Sequence, residues 1–475
     1  MLPQEFIRRT KELLHDEYYA LETALETQPP VSVRINPHKL TAVSDINFPA
    51  GAFGEYKKIP WCENGYYLSK RPSFTFDPLF HAGAYYVQEA SSMFLEQAFL
   101  TITADMPPLR KPLIALDLCA APGGKSTHLL SLLREEGLLV SNEIIRNRSM
   151  ILAENIIKWG RAGNITTNND PRDFGKLKHV FDVILADLPC SGEGMFRKDP
   201  TARNEWSADN VKLCASRQKR IIHDVWEALK PGGWLIYSTC TFNTEENEDN
   251  ICYLAEKLDA ELVAVAVKPE WNIASSLHHD IPIYRFYPHR TCGEGFSLAL
   301  MRKNKDTAKT DRIKTFKNND RPTTVHPGIK PEIKRLLSTP DKFRFITAGA
   351  NATAGADSIF AIPEALANIY AICAKMLNIV SAGIHMGRFK GKDFTPSVSL
   401  ALCTEINPNA FIPFELSYEN AIKYLQKEAL ILPENTPKGH LLATYKKTPL
   451  GFVKNIGNRA NNRYPQEWRI RKSLF

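Results

Sequence analysis

Short apolar runs alternate with longer amphipathic segments between residues 113 and 258, and no other feature constrains the fold as strongly. Residues 113–118, 138–142, 165–168, 182–186 and 234–237 have the length and apolar content of buried strands. Residues 127–133, 148–159, 211–229 and 245–258 carry apolar positions at helical spacing. Strand and helix in strict turn predict a parallel sheet with helices on both faces. Lys230-Pro-Gly-Gly233 is expected to stop the third helix. Runs at 262–267 and 296–301 read as closing strands.

The flanks follow other patterns. In the first 80 residues, Phe6, Leu13 and Leu14 mark one helix face, and 31–35 alternates as a strand does. A small α/β module over 1–80 is expected, followed by a central unit over 81–303. Residues 304–325 are polar, charged and aperiodic, and are expected to be a linker. Beyond them, strands at 343–346 and 441–445 between Gly and Pro turns predict a β-rich region over 326–475.

The net charge of +8 is unevenly spread. Residues 302–335 hold eleven Lys or Arg against four acids. Near the end, Lys454, Arg459, Arg463, Arg469, Arg471 and Lys472 lie among Phe452, Tyr464, Trp468 and Phe475. Cations interleaved with aromatics suit a phosphate backbone with exposed bases, so a nucleic-acid partner is expected. No apolar run approaches the ~18 residues of a membrane helix, and the first ten residues lack a leader's apolar centre. The expectation is a cytoplasmic protein. Nine scattered cysteines without CxxC spacing argue against a zinc site and against a disulfide framework.

Cys119-Ala-Ala-Pro-Gly-Gly-Lys125 joins the first strand to the first helix. Glycines there let a cofactor approach the backbone at a helix N-terminus. Cys119, Ala120, Ala121, Pro122, Gly123, Gly124 and Lys125 are therefore candidate cofactor contacts. The turn departs from phosphate-binding patterns. A P-loop needs glycine where Cys119 stands, Pro122 removes an N–H from any phosphate cradle, and GxGxxG is missing. A sulfonium nucleoside without phosphates fits better, and S-adenosylmethionine is such a ligand. Glu143, after the second strand, is placed for ribose hydroxyls. Asp170, after the third, suits an adenine amino group or a turn equally well. Asp187 ends the fourth strand, where α/β sheets bind ligands.

Two thiols stand at neighbouring strand ends. Cys190 lies in Asp187-Leu-Pro-Cys-Ser-Gly192 and Cys240 in Ser238-Thr-Cys-Thr241. A thiolate adding to carbon 6 of cytosine makes carbon 5 nucleophilic toward a sulfonium methyl group. A second thiol then assists release. Spacing alone leaves open which cysteine attacks. Asp187 is expected to hold the ring at nitrogen 3 and the amino group, and Lys125 to add a hydrogen bond. His128, His223 and His289 are available for proton transfer, although a lone histidine is more often structural.

These residues resemble the Nop/Sun family of RNA cytosine-carbon-5 methyltransferases over residues 33–302. The motifs are Ser32-Val-Arg-Ile-Asn36, Tyr86-Val-Gln-Glu-Ala-Ser-Ser92, Asp117-Leu-Cys-Ala-Ala-Pro-Gly-Gly-Lys125, the Asp187–Gly192 segment and Ser238-Thr-Cys-Thr-Phe-Asn-Thr-Glu-Glu-Asn247. The resemblance implies a Rossmann-like sheet binding S-adenosylmethionine. It implies Cys240 as nucleophile and Cys190 as the residue aiding release. Gly192-Glu-Gly-Met-Phe-Arg-Lys-Asp-Pro200 and Asn462-Arg-Tyr-Pro-Gln-Glu-Trp-Arg-Ile470 are similar to the RsmF/YebU-like bacterial branch. That branch implies RNA-binding modules at both ends, a PUA-like one C-terminal, and ribosomal RNA or a ribosomal subunit as partner. No metal or membrane is implied. The alternatives are a catalytically silent RNA-binding ribosome-assembly factor, and a P-loop nucleotidase with 183–187 imitating a Walker B strand.

Overall fold

The alternating runs form the parallel centre of a nine-stranded sheet. Its parallel strands lie in the order Asn164–Thr167, Leu138–Asn142, Ile114–Asp117, Phe181–Asp187, Leu229–Thr239. Phe296–Lys303 adds antiparallel to the last of these, and Ala260–Val263 and Ile283–Phe286 pair with its outer edge. The computed structural model describes residues 1–40, 55–106, 112–305, 331–347, 358–391, 393–457 and 459–472.

The sheet is apolar on both faces, which explains why its strands read as continuous runs. Successive residues point to opposite sides. Ala115, Val183, Leu185 and Ile236 enter one core, while Leu116, Ile184 and Leu235 enter the other. Each such buried aliphatic side chain stabilises the fold by roughly 1.5–3 kcal/mol. Residues 230–233 are not what stops the helix: Ala208–Val225 ends earlier, Trp226–Ala228 tightens into a 3-10 turn, and 230–233 lie within the strand Leu229–Thr239. The strand begins at Leu229, because pairing skips from Phe181–Leu229 to Val183–Trp234 and lets Pro231 and Gly232 bulge outward.

The first 80 residues pack in two directions. Phe6, Leu14, Tyr18 and Leu21, from Gln4–Leu14 and Tyr18–Leu25, join Phe196, Trp206 and Phe242. The strand Val31–Ile35 sits between Gly65–Leu68 and Tyr85–Val87 in a four-stranded antiparallel sheet. That sheet packs Val33 and Ile35 against Tyr424, Tyr445 and Tyr464 of the C-terminal region. A segment this short buries too little surface against itself, so its faces are completed by neighbours.

The C-terminal region holds two four-stranded sheets: Phe343–Thr347, Ser358–Pro363, Ile384–Lys390 and Asp393–Pro396, then Ile412–Glu415, Gly439–Tyr445, Thr448–Asn455 and Ala460–Asn462. It is also stitched to the nine-stranded sheet, because Ile379–Ala382 pairs antiparallel with Asn164–Thr167. The expected linker lies outside the described residues from 306 onward. Among the described residues, no helix is long and apolar enough to cross a membrane.

The basic end corrects one expectation. Arg459, Arg463, Arg469, Arg471 and Lys472 are exposed, but Phe452 and Tyr464 are core residues. They pack on Phe411 at 4.7 Å and Tyr424 at 5.4 Å. Trp468 is half-buried, with the Lys158 ammonium 5.2 Å from its ring centre. Interleaving in sequence did not distinguish the inward face of a strand from the outward one. Phe475 lies outside the described residues.

Candidate active site

Strand order reverses between Ile114–Asp117 and Phe181–Asp187. Crossovers leave such a point on opposite faces and open a crevice at the strands' C-terminal ends. A cavity of about 410 Å³ lies there. Cys119, Ala120, Ala121, Pro122, Gly124 and Lys125 line it, as do Asp187 and Cys240. Gly123 is absent from its wall but makes the turn possible. It holds φ +117° at the N-cap of Gly124–Leu132, a conformation strained for any other residue.

Two further expected contacts are not in its lining. Glu143 is buried, accepts from the Ile145 N–H at 2.9 Å and pairs with Arg148 at 3.4 Å. Asp170 caps Pro171–Phe174, accepting from the Arg172 N–H at 3.1 Å. Neither lines the cavity. None of the three singled-out histidines lines it either: His128 is buried 3.0 Å from Glu96, His289 bonds Glu17 at 2.6 Å, and His223 rests edge-on to Tyr253.

The cavity's charges select its ligand. Glu89, Asp117, Asp187 and Glu294 line it against two cations, Lys125 and Lys198. Lys125 is committed to Asp187 at 2.8 Å. Asp117 is fully buried. One of its oxygens accepts from Ser126 at 2.6 Å and the other has no protein partner. Burial pushes the Asp117 carboxyl up to about 7, against the Ser126 hydrogen bond. An acidic, phosphate-poor cradle with an unpartnered buried carboxylate oxygen fits a cationic sulfonium nucleoside. It repels a nucleoside triphosphate, which disfavours the P-loop reading.

The two thiols meet beside this wall: Cys240 lines the cavity, and Cys190, which does not, stands behind it. Cys190 Sγ lies 2.9 Å from Cys240 Sγ. The hydrogen bond to Cys240, then burial, then the nearby Glu246 hold the Cys190 thiol well above the usual cysteine range. Asp187 is fixed from two sides, by Lys125 and by the Ser238 hydroxyl at 2.8 Å. Burial opposes the Lys125 charge, but Asp187, Asp117 and the Cys240 sulfur outweigh it and raise its pKa.

Two buried carboxylates missed by the sequence reading lock the cysteine loops together. Glu193 accepts from the Thr241 hydroxyl at 2.7 Å, the Phe242 N–H at 2.7 Å, the Asn243 N–H at 2.9 Å and the Trp206 indole at 3.0 Å. Glu246 accepts from the Ser191 N–H at 3.1 Å, Gln218 at 2.7 Å and Asn243 at 2.8 Å. The Gly194 N–H also donates to the Cys240 carbonyl at 2.9 Å. Each loop thus supplies a carboxylate to the other's donors. The available signal was a pair of acids in non-periodic segments flanking both thiols.

The Ser32–Asn36 motif acts from outside the cavity. Arg34 is buried and stacks 4.5 Å over Trp159. It donates to Gln88 at 2.8 Å and Thr127 at 2.7 Å, tying the N-terminal sheet to the helix that follows the cofactor turn.

Similarity to known proteins extends along nearly the whole chain. A ribosomal RNA small subunit methyltransferase F of Aliivibrio fischeri (strain MJ11) is 31% identical over 483 residues, covering 98% of this chain and 97% of the relative. The chain belongs to the ribosomal RNA small subunit methyltransferase F family. The methyltransferase F of Escherichia coli O9:H4 (strain HS) is 29% identical, covering 98% of this chain and 96% of its own. Family descriptions match in three pieces: the N-terminal domain of 16S rRNA methyltransferase RsmF over 2–90, 16S rRNA methyltransferase RsmB/F over 109–302, and the methyltransferase RsmF PUA domain over 411–470.

Solved structures agree on the fold. A methyltransferase homologue from Pyrococcus horikoshii superposes with TM-score 0.53 at 29% identity, covering 63% of this chain and 95% of that one. NSun6 from Pyrococcus horikoshii, solved with SFG, superposes with TM-score 0.54 at 21% identity, covering 64% and 99%. The central match ends at residue 302, within the strand Phe296–Lys303 of the nine-stranded sheet.

Proposed function

We propose that the protein methylates carbon 5 of a cytosine in small-subunit ribosomal RNA through a covalent bond between Cys240 and carbon 6 of the ring. One observation carries the reading: Cys240 lines the switch-point cavity, with a second thiol 2.9 Å from its sulfur. The names of the full-length relatives supply the RNA.

Carbon 5 of cytosine is a poor nucleophile. Addition of the Cys240 thiolate to carbon 6 converts the ring into an enamine. Asp187, immobilised by Lys125 and Ser238, faces nitrogen 3 and the amino group as charge develops there. Lys125 adds a hydrogen bond to the ring. S-adenosylmethionine, when bound, supplies an electrophilic methyl group to carbon 5. Water or another base then takes the carbon 5 proton, its electron pair restores the carbon 5–carbon 6 double bond, and the sulfur–carbon 6 bond breaks with its pair returning to the Cys240 thiolate. Cys190 aids that release, and its raised pKa keeps it a neutral thiol beside Cys240. Asp117, Cys119, Ala120, Ala121, Pro122 and Gly124 would hold the cofactor. The target base reaches the cavity only unpaired or flipped from its stack.

Bisulfite sequencing of ribosomal RNA from a strain lacking the gene is expected to reveal one lost 5-methylcytosine. Loss of none refutes the reading. Calorimetry with S-adenosylmethionine separates the enzyme from a silent assembly factor, which needs no cofactor.

A further inference from the structure

The segment Gly192–Pro200 carries more than the Glu193 lock. Phe196 is buried 5.0 Å from Phe6, and Arg197 is buried against Glu294 at 3.0 Å. Asp199 caps the helix Pro200–Glu205. These three have structural work. Met195 has none, Lys198 makes only a loose ion pair, and both line the cavity that holds Cys240. Met195 is 37% exposed, a large apolar side chain left in the open at a cavity wall.

The charge balance makes Lys198 distinctive. The other lining cation, Lys125, is hydrogen-bonded to Asp187. Lys198 has its nearest carboxylate, Glu294, 3.9 Å away, beyond hydrogen-bond reach, and its side chain is one-third exposed. An RNA strand entering an acidic cavity brings a phosphate with it. Repulsion from Glu89 and Glu294 opposes entry unless a cation meets that phosphate.

The turn is rigid where it matters. Main-chain bonds from Met195 to Gly192 (2.9 Å), from Lys198 to Met195 (2.9 Å) and from Gly194 to Cys240 (2.9 Å) fix Lys198 relative to the nucleophile. A phosphate held there sets the reach of its own base toward Cys240.

We propose that Lys198 binds the backbone phosphate of the target nucleotide, with Met195 as the apolar surface against its unstacked base. This rests on the RNA-methyltransferase reading and adds to it the residues that register the substrate.

The test uses the full-length protein and a small-subunit ribosomal RNA transcript, with binding measured across a series of KCl concentrations. Lys198→Met keeps the stem and removes the charge. It is expected to weaken binding about three- to tenfold at low salt and to lower the slope of log K against log salt by about 0.7–0.9, one phosphate's worth. Lys198→Arg is expected to keep the slope. S-adenosylmethionine affinity and the thermal midpoint are expected to stay unchanged in both. A purely structural lysine leaves the slope intact, so an unchanged slope in Lys198→Met, with wild type still methylating, overturns this inference alone. Wild-type protein that neither binds nor methylates the transcript overturns the functional reading as well.

Discussion

The sulfurs of Cys190 and Cys240 lie 2.9 Å apart, although fifty residues separate them in the chain. Adjacent parallel strands end there, and Glu193 and Glu246 cross-brace the loops that follow. If Cys240 attacks and Cys190 releases, the two alanine variants part company. Cys190→Ala is expected to accumulate an RNA–protein adduct that survives denaturing electrophoresis. Cys240→Ala is expected to form none and to lose methyl transfer by about a thousandfold or more. An adduct that persists in Cys240→Ala reverses the roles.

The cross-brace has a pH signature. Burial raises the Glu246 carboxyl from 4.5 to about 7, and Asp117 from 3.8 to about 7. The folded state therefore binds protons that the unfolded state has released, and stability falls as pH rises through that window. At about 1.4 kcal/mol per pKa unit, Glu246 contributes a loss on the order of 3 kcal/mol by pH 8. Urea midpoints at pH 5 and pH 8 are expected to differ less in Glu246→Gln than in wild type. Equal differences in the two proteins contradict a raised Glu246.

Lys125 and Asp187 lie 2.8 Å apart at the cavity wall, and in the proposed reaction they are the polar edge offered to the ring. Lys125→Met removes a donor and unpins the carboxylate. Single-turnover methyl transfer is expected to slow by about 10²–10³, the loss seen when one oriented donor is removed. Lys125→Arg is not expected to restore the rate, because a planar guanidinium fits this pairing differently from an ammonium. A rate within threefold of wild type in Lys125→Met reduces the pair to a structural role.

Arg34 acts at a distance. Its guanidinium is buried between Trp159, Gln88 and Thr127. Arg34→Ala leaves those acceptors unsatisfied, and a destabilisation of roughly 2–5 kcal/mol is expected from denaturant unfolding. Calorimetry is expected to show weaker S-adenosylmethionine binding as well, because Arg34 also donates to the Gly124 carbonyl of the cofactor turn at 3.3 Å. Unchanged cofactor affinity limits Arg34 to stability.

Some of the site was legible because its chemistry is local. The turn from Cys119 to Lys125 needs glycine and follows a strand, and both facts stand within a dozen residues. Glu143 and Asp170 were placed by strand position alone. The folded chain gives Glu143 to the Ile145 N–H and Arg148, and Asp170 to a helix cap. Each of these carboxylates has a local backbone partner, which strand-end position alone did not show.

The sequence by itself determined the alternating strands and helices of residues 113–258, apart from their exact ends, the residue types of the turn and the presence of a thiol after each of two strands. Periodicity and glycine requirements act over a few residues, so they can be read in one dimension. Only the tertiary structure decided that the thiols touch, that Glu193 and Glu246 hold them, that Phe452 and Tyr464 face inward, and that Ser358–Pro363 and Ile379–Ala382 serve different sheets. Those outcomes rest on hydrogen bonds and apolar contacts between segments far apart in the chain. Which partner satisfies a buried group is settled only when the competing segments are packed together.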